Sequence, residues 1–136
     1  MSAIAIRAAL ELALAAMSPS LPTAWQNQKF APTVGSPYQR VALLFAEPDN
    51  PEIGTTTRDH GYMQVSLAYP LDDGTGDADA RAELIRQTFY RGKSLVASGI
   101  VTTIEKTPSI GIGHVEDDRW VIPVQVRFFA NYNPVT

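Results

Sequence analysis

Apolar residues recur along this chain with two different periods, and the change of period marks out its elements. From Ser2 to Met17 the spacing is helical: Ile6, Leu10, Ala13 and Met17 share one face, and alanines fill much of the rest. This predicts a first helix over 2–17, capped by Ser2. It stops at Ser18-Pro19-Ser20, because proline disfavours helix at the residue before it. Trp25 to Phe30 reads as a short strand or irregular edge segment, and 31–37 as a turn-rich connection holding Pro32, Gly35 and Pro37. From Tyr38 to Ala46 the period drops to two, with Val41, Leu43 and Phe45 on one face and Arg40, Ala42 and Leu44 on the other. Gly61 to Tyr69 alternates more cleanly still: Met63, Val65, Leu67 and Tyr69 face inward, Gln64 and Ser66 outward.

Between these strands the pattern lapses. Glu47 to Thr57 carries two prolines, a glycine and three successive threonines, which predicts a long exposed loop reaching from about 47 to 60. Pro70 to Gly76 is a turn. A second helix follows over about 77–90, with Asp77 as its cap and Ala78, Ala82, Ile85 and Phe89 as its apolar stripe. Arg86, Arg91 and Lys93 sit near its C-terminal end, where cations suit the helix dipole, and Gly92 ends it. Two further strands are expected, Ile100–Glu105 and Trp120–Phe129. The turn between them holds Gly111, Gly113 and Glu116-Asp117-Asp118. Pro123 lacks a ladder donor and predicts an edge or a bulge in the last strand. The order is α-β-β-β-α-β-β. It implies an α+β fold with a mostly antiparallel or mixed sheet of about four to five strands and two helices packed mainly on one face.

Composition narrows the class. A chain of 136 residues fits one domain, 1–136, able to bury roughly two-thirds of its unfolded surface. With 45% hydrophobic and 18% charged residues it is neither disordered nor built as a membrane span. The absence of cysteine removes disulfides, thiolate nucleophiles and thiolate metal sites. A net charge of −3 argues against a general nucleic-acid binder. The Ala- and Leu-rich start invites comparison with a secretory leader. Arg7 and Glu11 interrupt its apolar run and no basic residue precedes it, so the expectation is a soluble protein made in the cytoplasm.

Candidate chemistry is thin. Asp59-His60 are neighbours and lack a nucleophile motif, so His60 reads as a strand-entry or loop residue. His114 has no second ligand at metal spacing. Gly111-Ile112-Gly113 is a fragment of a phosphate loop, but a strand rather than a helix is expected after it. Asp72, Asp73, Asp77 and Asp79 suggest calcium until the twelfth position, Glu83, falls inside the helix. Glu47, Asp49 and Glu52 have no apolar surroundings to raise a carboxyl pKa. Arg81, Arg86, Arg91 and Lys93 form a basic helical face balanced by Asp77, Asp79 and Glu83. The aromatic end Phe128, Phe129 and Tyr132 reads as core or interface, core being favoured. No catalytic, metal or cofactor residue is assigned and no enzyme is expected. The long loop stands out instead, because loops of this length in compact domains are commonly functional.

Across nearly its whole length the chain resembles the tail terminator-like (tail completion) proteins of long-tailed bacteriophages. The stretches that carry the resemblance are Thr23-Ala24-Trp25-Gln26-Asn27 with Phe30 and Pro32, Pro37-Tyr38-Gln39-Arg40-Val41 and Glu47-Pro48-Asp49-Asn50-Pro51. Gly61 with Gln64-Val65-Ser66-Leu67, Tyr69-Pro70, Phe89 with Arg91-Gly92, and Val121, Pro123-Val124 and Val126 complete it. These are turn, strand and packing residues. The resemblance implies a structural α+β protein that assembles with itself as a ring, typically a hexamer. The ring sits on the last ring of the tail tube, ends its polymerisation and presents the surface that joins the head. The implied partners are further copies of the chain, the tube protein and the head–tail connector protein, with DNA only as passing cargo and no membrane. The implied place is the host cytoplasm during assembly and then the virion tail.

A closed ring is heterologous, so each subunit needs two different lateral patches. The loop and the 70–77 turn are the candidates, with Glu47, Asp49, Glu52, Thr56, Arg58, Asp72 and Asp73 as assembly contacts. A head–tail connector or minor tail protein shares this size and fold class. A small enzyme would need a pocket with convergent polar groups, and a solitary protein-binding module would stay monomeric.

Overall fold

The computed structural model describes residues 2–18, 20–33, 35–51, 53–71 and 74–132. The first helix, α1 (Ser2–Ala15), turns Ala5, Ile6, Ala9, Leu10 and Leu14 inward, the i, i+4 pattern of one helical face. Met17, just past its end, is buried as well. Of the two readings of Trp25–Phe30, short strand or irregular edge segment, the irregular one holds; a two-residue strand lies just before it, β1 (Thr23–Ala24), and runs parallel to β2. Gln39 fixes that pairing: its Nε2 donates to the Thr23 hydroxyl at 2.9 Å, and the hydroxyl donates to the Leu21 carbonyl at 2.9 Å.

β2 (Tyr38–Phe45) and β3 (Thr57–Pro70) form a long antiparallel hairpin, and β3 pairs along its full length with β8 (Arg119–Tyr132). The register stacks the core in rows across three strands. Leu43, Met63 and Val126 form one row, and Val41, Val65 and Val124 the next. All six side chains are buried. The alternation read from the sequence therefore holds in β2; in β3 it gives way over 65–68, where Ser66 and Ala68 are buried as well because the outer face is covered there too. β3 starts at Thr57, so residues 57–60, expected in the loop, belong to the ladder.

The second helix, α2 (Gly76–Thr88), buries the predicted stripe of Ala78, Ala82, Ile85 and Phe89. Its cap is Thr75 rather than Asp77; Asp77 and Asp79 lie in the first turn, where their charge suits the dipole. Both helices contribute to the same core as the inner face of the sheet, so they cover one face.

Five strands follow α2 where two were expected. β4 (Ser94–Ala97) and β5 (Ile100–Ile104) make a hairpin through Ser98–Gly99. β6 (Ser109–Ile110) and β7 (His114–Glu116) pair in turn with β8, as does the end of β5. The sheet thus has eight strands in the order β1-β2-β3-β8-β5-β4, with β6 and β7 also on β8. It is mixed only through the short parallel β1. The prediction of α+β stands; the predicted strand count and order do not.

Pro123 corrects a further expectation. It lies neither at an edge nor in a bulge: β8 is central, and Pro123 pairs with Ser66 of β3. Its carbonyl accepts from the Gly111 N–H at 2.8 Å, so its nitrogen also points away from β3. β6 meets β8 at 124–125 and β7 meets it at 119–121. The missing donor therefore falls where β6 gives way to β7 and takes nothing from the β3 ladder.

Candidate functional site

The loop after β2 begins inside the ladder. The Ala46 N–H donates to the His60 carbonyl at 2.9 Å, and Asp49 and Arg58 exchange two backbone bonds of 2.9 and 2.8 Å. Between the Phe45–Gly61 and Asp49–Arg58 pairs, three residues (46–48) oppose two (59–60). That is a bulge, and Pro48, which has no N–H to pair, sits in it. The free part of the loop is thus 50–56, shorter than predicted.

The bulge brings several of the predicted residues together. His60 Nε2 lies 3.0 Å from the Glu47 carbonyl and 3.3 Å from Asp49 Oδ2. Arg58 donates through Nε to Asn131 Oδ1 at 3.0 Å and stacks 5.1 Å over the Phe129 ring. Thr56 is half-buried at the end of the loop, and its carbonyl accepts weakly from Asn50 Nδ2 at 3.5 Å. Ile53, at the tip, is fully exposed. Glu52, Asp72 and Asp73 lie outside the described residues. The aromatic end divides: Phe128 is core, while Phe129 and Tyr132 are half-buried on the rim.

Arg40 and Glu116 meet across the outer face, through two hydrogen bonds of 3.2 Å from the two guanidinium Nη atoms to the two carboxylate oxygens. The hydrogen bond and charge of Arg40 hold the Glu116 carboxyl below its ordinary range, and Glu116 raises Arg40 in return. His114 Nε2 stands 3.5 Å from the same carboxylate. Beside this pair a groove of about 470 Å³ runs under the irregular segment 24–32. Trp25, Phe30, Tyr38, Arg40, Gln64 and Ser66 line it. The sequence reading missed this groove. Its one signal was Trp25 and Phe30, two large aromatics in a stretch with no clear period.

Arg119 was also missed. Its side chain is buried, and its two Nη atoms donate to the carbonyls of Ser36 and Thr33, the latter at 2.7 Å. Its guanidinium stacks 5.0 Å from the Tyr38 ring. One side chain thereby fastens the 33–36 turn to the base of β8.

The remaining motifs resolve into packing. A Cβ at Gly111 would press on the Pro123 ring, and one at Gly113 would collide with the Trp120 indole. The two glycines let the backbone lie flat on those rings, which explains the pair without a phosphate. Arg81 is buried on α2, and burial lowers its pKa while the Tyr69 phenol acts the other way. Arg86 donates to the Pro108 carbonyl at 3.1 Å. The predicted basic face is therefore broken up, leaving Arg91 and Lys93 beyond the helix. Among the described residues, no group of three or more His, Cys, Asp or Glu is placed to hold a metal ion. No described helix is long and apolar enough to cross a membrane.

Comparison with known proteins gives this geometry a setting. Residues 5–128 match the family model described as phage tail terminator protein. A solved structure is similar at 27% sequence identity with a TM-score of 0.77, covering 98% of this chain and 99% of its own. No curated protein matches.

Proposed function

We propose, because the chain belongs to the phage tail terminator family, that it caps the tail tube, ends the tube's polymerisation and forms the surface that joins the head. The family is structural, and the chain's work is a structural one in the phage tail. The observation that carries the finer reading is the match itself, which takes in both helices and nearly all of the sheet. Its surfaces suit binding: an acidic loop with a bare isoleucine at its tip, and an outer sheet face with an aromatic groove beside an Arg–Glu pair. A ring of identical copies would present such features at regular intervals, one face to the tube protein and the other to the connector protein. A net charge of −3 suits a channel through which DNA passes without sticking.

Electron microscopy of particles assembled with and without this chain tests the proposal. Without it, tails of irregular and excessive length that carry no heads are expected. Tails of normal length that fail to join heads would make it a connector instead. Unchanged virions would overturn the assembly reading altogether.

A further inference from the structure

A head-to-tail ring needs two unlike surfaces that fit each other. The loop at 47–60 and the turn at 70–77 are both acid-rich and would repel one another. A better complement lies at the far edge of the sheet. β4 is the last strand in the order and, among the described residues, pairs with β5 alone. The Lys93 carbonyl accepts from the Ile104 N–H at 2.9 Å, so antiparallel alternation turns the backbone N–H and C=O groups of Ser94 and Val96 outward, away from β5.

The side chains at this edge are as open as its backbone. Val96 and Val101 are direct cross-strand partners, 66% and 44% exposed. Tyr90 is exposed too, with the Lys93 ammonium 5.4 Å from its ring centre. Arg91 and Lys106 share a surface depression with Glu105. The edge therefore combines unpaired backbone, two bare valines and three basic groups against one acid.

The 46–56 loop is its counterpart. Glu47 and Asp49 are exposed, and the fully exposed Ile53 stands between two prolines' worth of stiffened chain and Gly54. β3, β8 and β5 stand between β2 and β4 in the sheet order, so loop and edge are separate features of one subunit.

We propose that the loop of one copy docks on the β4–β5 edge of the next, with Ile53 against Val96 and Val101, and Glu47 and Asp49 against Arg91, Lys93 and Lys106. The occupant is a second copy because the chain itself supplies the opposite charge and the apolar tip. This contact rests on the ring reading above and names the surfaces that would close the ring.

The absence of cysteine makes the test direct. Ile53→Cys and Val96→Cys variants are mixed and oxidised, alone and on purified tail tubes. The mixture is expected to give a reducible cross-linked dimer that neither variant gives by itself. A variant carrying both changes should give a ladder of oligomers. Adding Arg91→Glu and Lys93→Glu to the Val96→Cys variant should cut the product about tenfold, and adding Glu47→Lys and Asp49→Lys to the Ile53→Cys variant should restore it. Circular dichroism checks that each variant folds. Self-association without this cross-link would overturn the contact and leave the ring standing. No self-association, alone or on tubes, would overturn both.

Discussion

Phe45 and Phe128 meet edge-on across Gly61, with ring centres 5.7 Å apart and planes at 77°. Gly61 lies between them in register, on the strand that separates theirs, and a Cβ there would collide with the Leu44 carbonyl. The two rings therefore meet over a strand position with no room for a side chain. Gly61→Ala should cost about 2–3 kcal/mol through overpacking, and Phe128→Ala about 3–5 kcal/mol through the cavity left behind. Chemical denaturation of the two variants checks both values. A Gly61→Ala protein as stable as the parent would show that the hairpin shifts freely at this point.

Arg119 ties together segments more than eighty residues apart. Arg119→Ala should cost about 2–3 kcal/mol, since two hydrogen bonds from a buried charged group are lost. Hydrogen exchange should speed up first at the Ser36 amide, which donates to the Thr33 carbonyl in the turn that Arg119 holds. Unchanged protection there would mean that the turn stands by itself.

These two cases mark what the sequence could and could not disclose. Strands whose apolar side chains alternate with polar or small ones, such as the stretch around Met63, Val65 and Leu67, announce themselves by period even where the other face is covered as well. So does the α2 stripe from Ala78 to Phe89. β4, β6 and β7 have two to four residues each, too few for a period to show. Ser109 and Ile110, between Pro108 and Gly111, carry the marks of a turn, and only the long β8 beside them makes them a strand. Arg119 follows two aspartates and reads as solvated, because its carbonyl partners are distant in sequence. The loop was legible as a departure from pattern, though the backbone pairing of Asp49 and Arg58 that shortens it was not. The groove escaped notice because one wall of it is irregular chain.

The Arg40–Glu116 pair should show in acid. Glu116 has a folded pKa below the ordinary glutamate value of about 4.3, so its contribution is full above that value. It is lost as the pH falls through the lowered folded pKa. Both side chains are well exposed, so the pair is worth at most about 1 kcal/mol, and Glu116→Gln should lower stability at neutral pH by no more than that. Carboxyl NMR titration should place the Glu116 midpoint below that of the model residue. A midpoint at or above it would rule out the tie in solution.

Deleting residues 50–56 and joining Asp49 to Thr57 through an inserted Asn-Gly should leave the fold intact, because the Asp49–Arg58 bridge and the full β3 ladder lie outside the cut. Tail capping should be lost. Thermal melting and electron microscopy of complemented tails separate the two effects. Normally capped tails from the shortened chain would remove the loop from assembly.

The pairing of β3 with β8 has a mechanical consequence. Fourteen residue pairs in unbroken register form a ladder about 45 Å long. Tension applied along such a ladder shears all its rungs together, whereas tension on the four-pair β4–β5 hairpin can open one rung at a time. A subunit gripped by the two ends of the long ladder would resist load as a strut. The same subunit gripped by its marginal ribbons would peel. In a structural subunit of a phage tail, the short ribbons are the parts that give first under load, and the two long strands are the part that resists it.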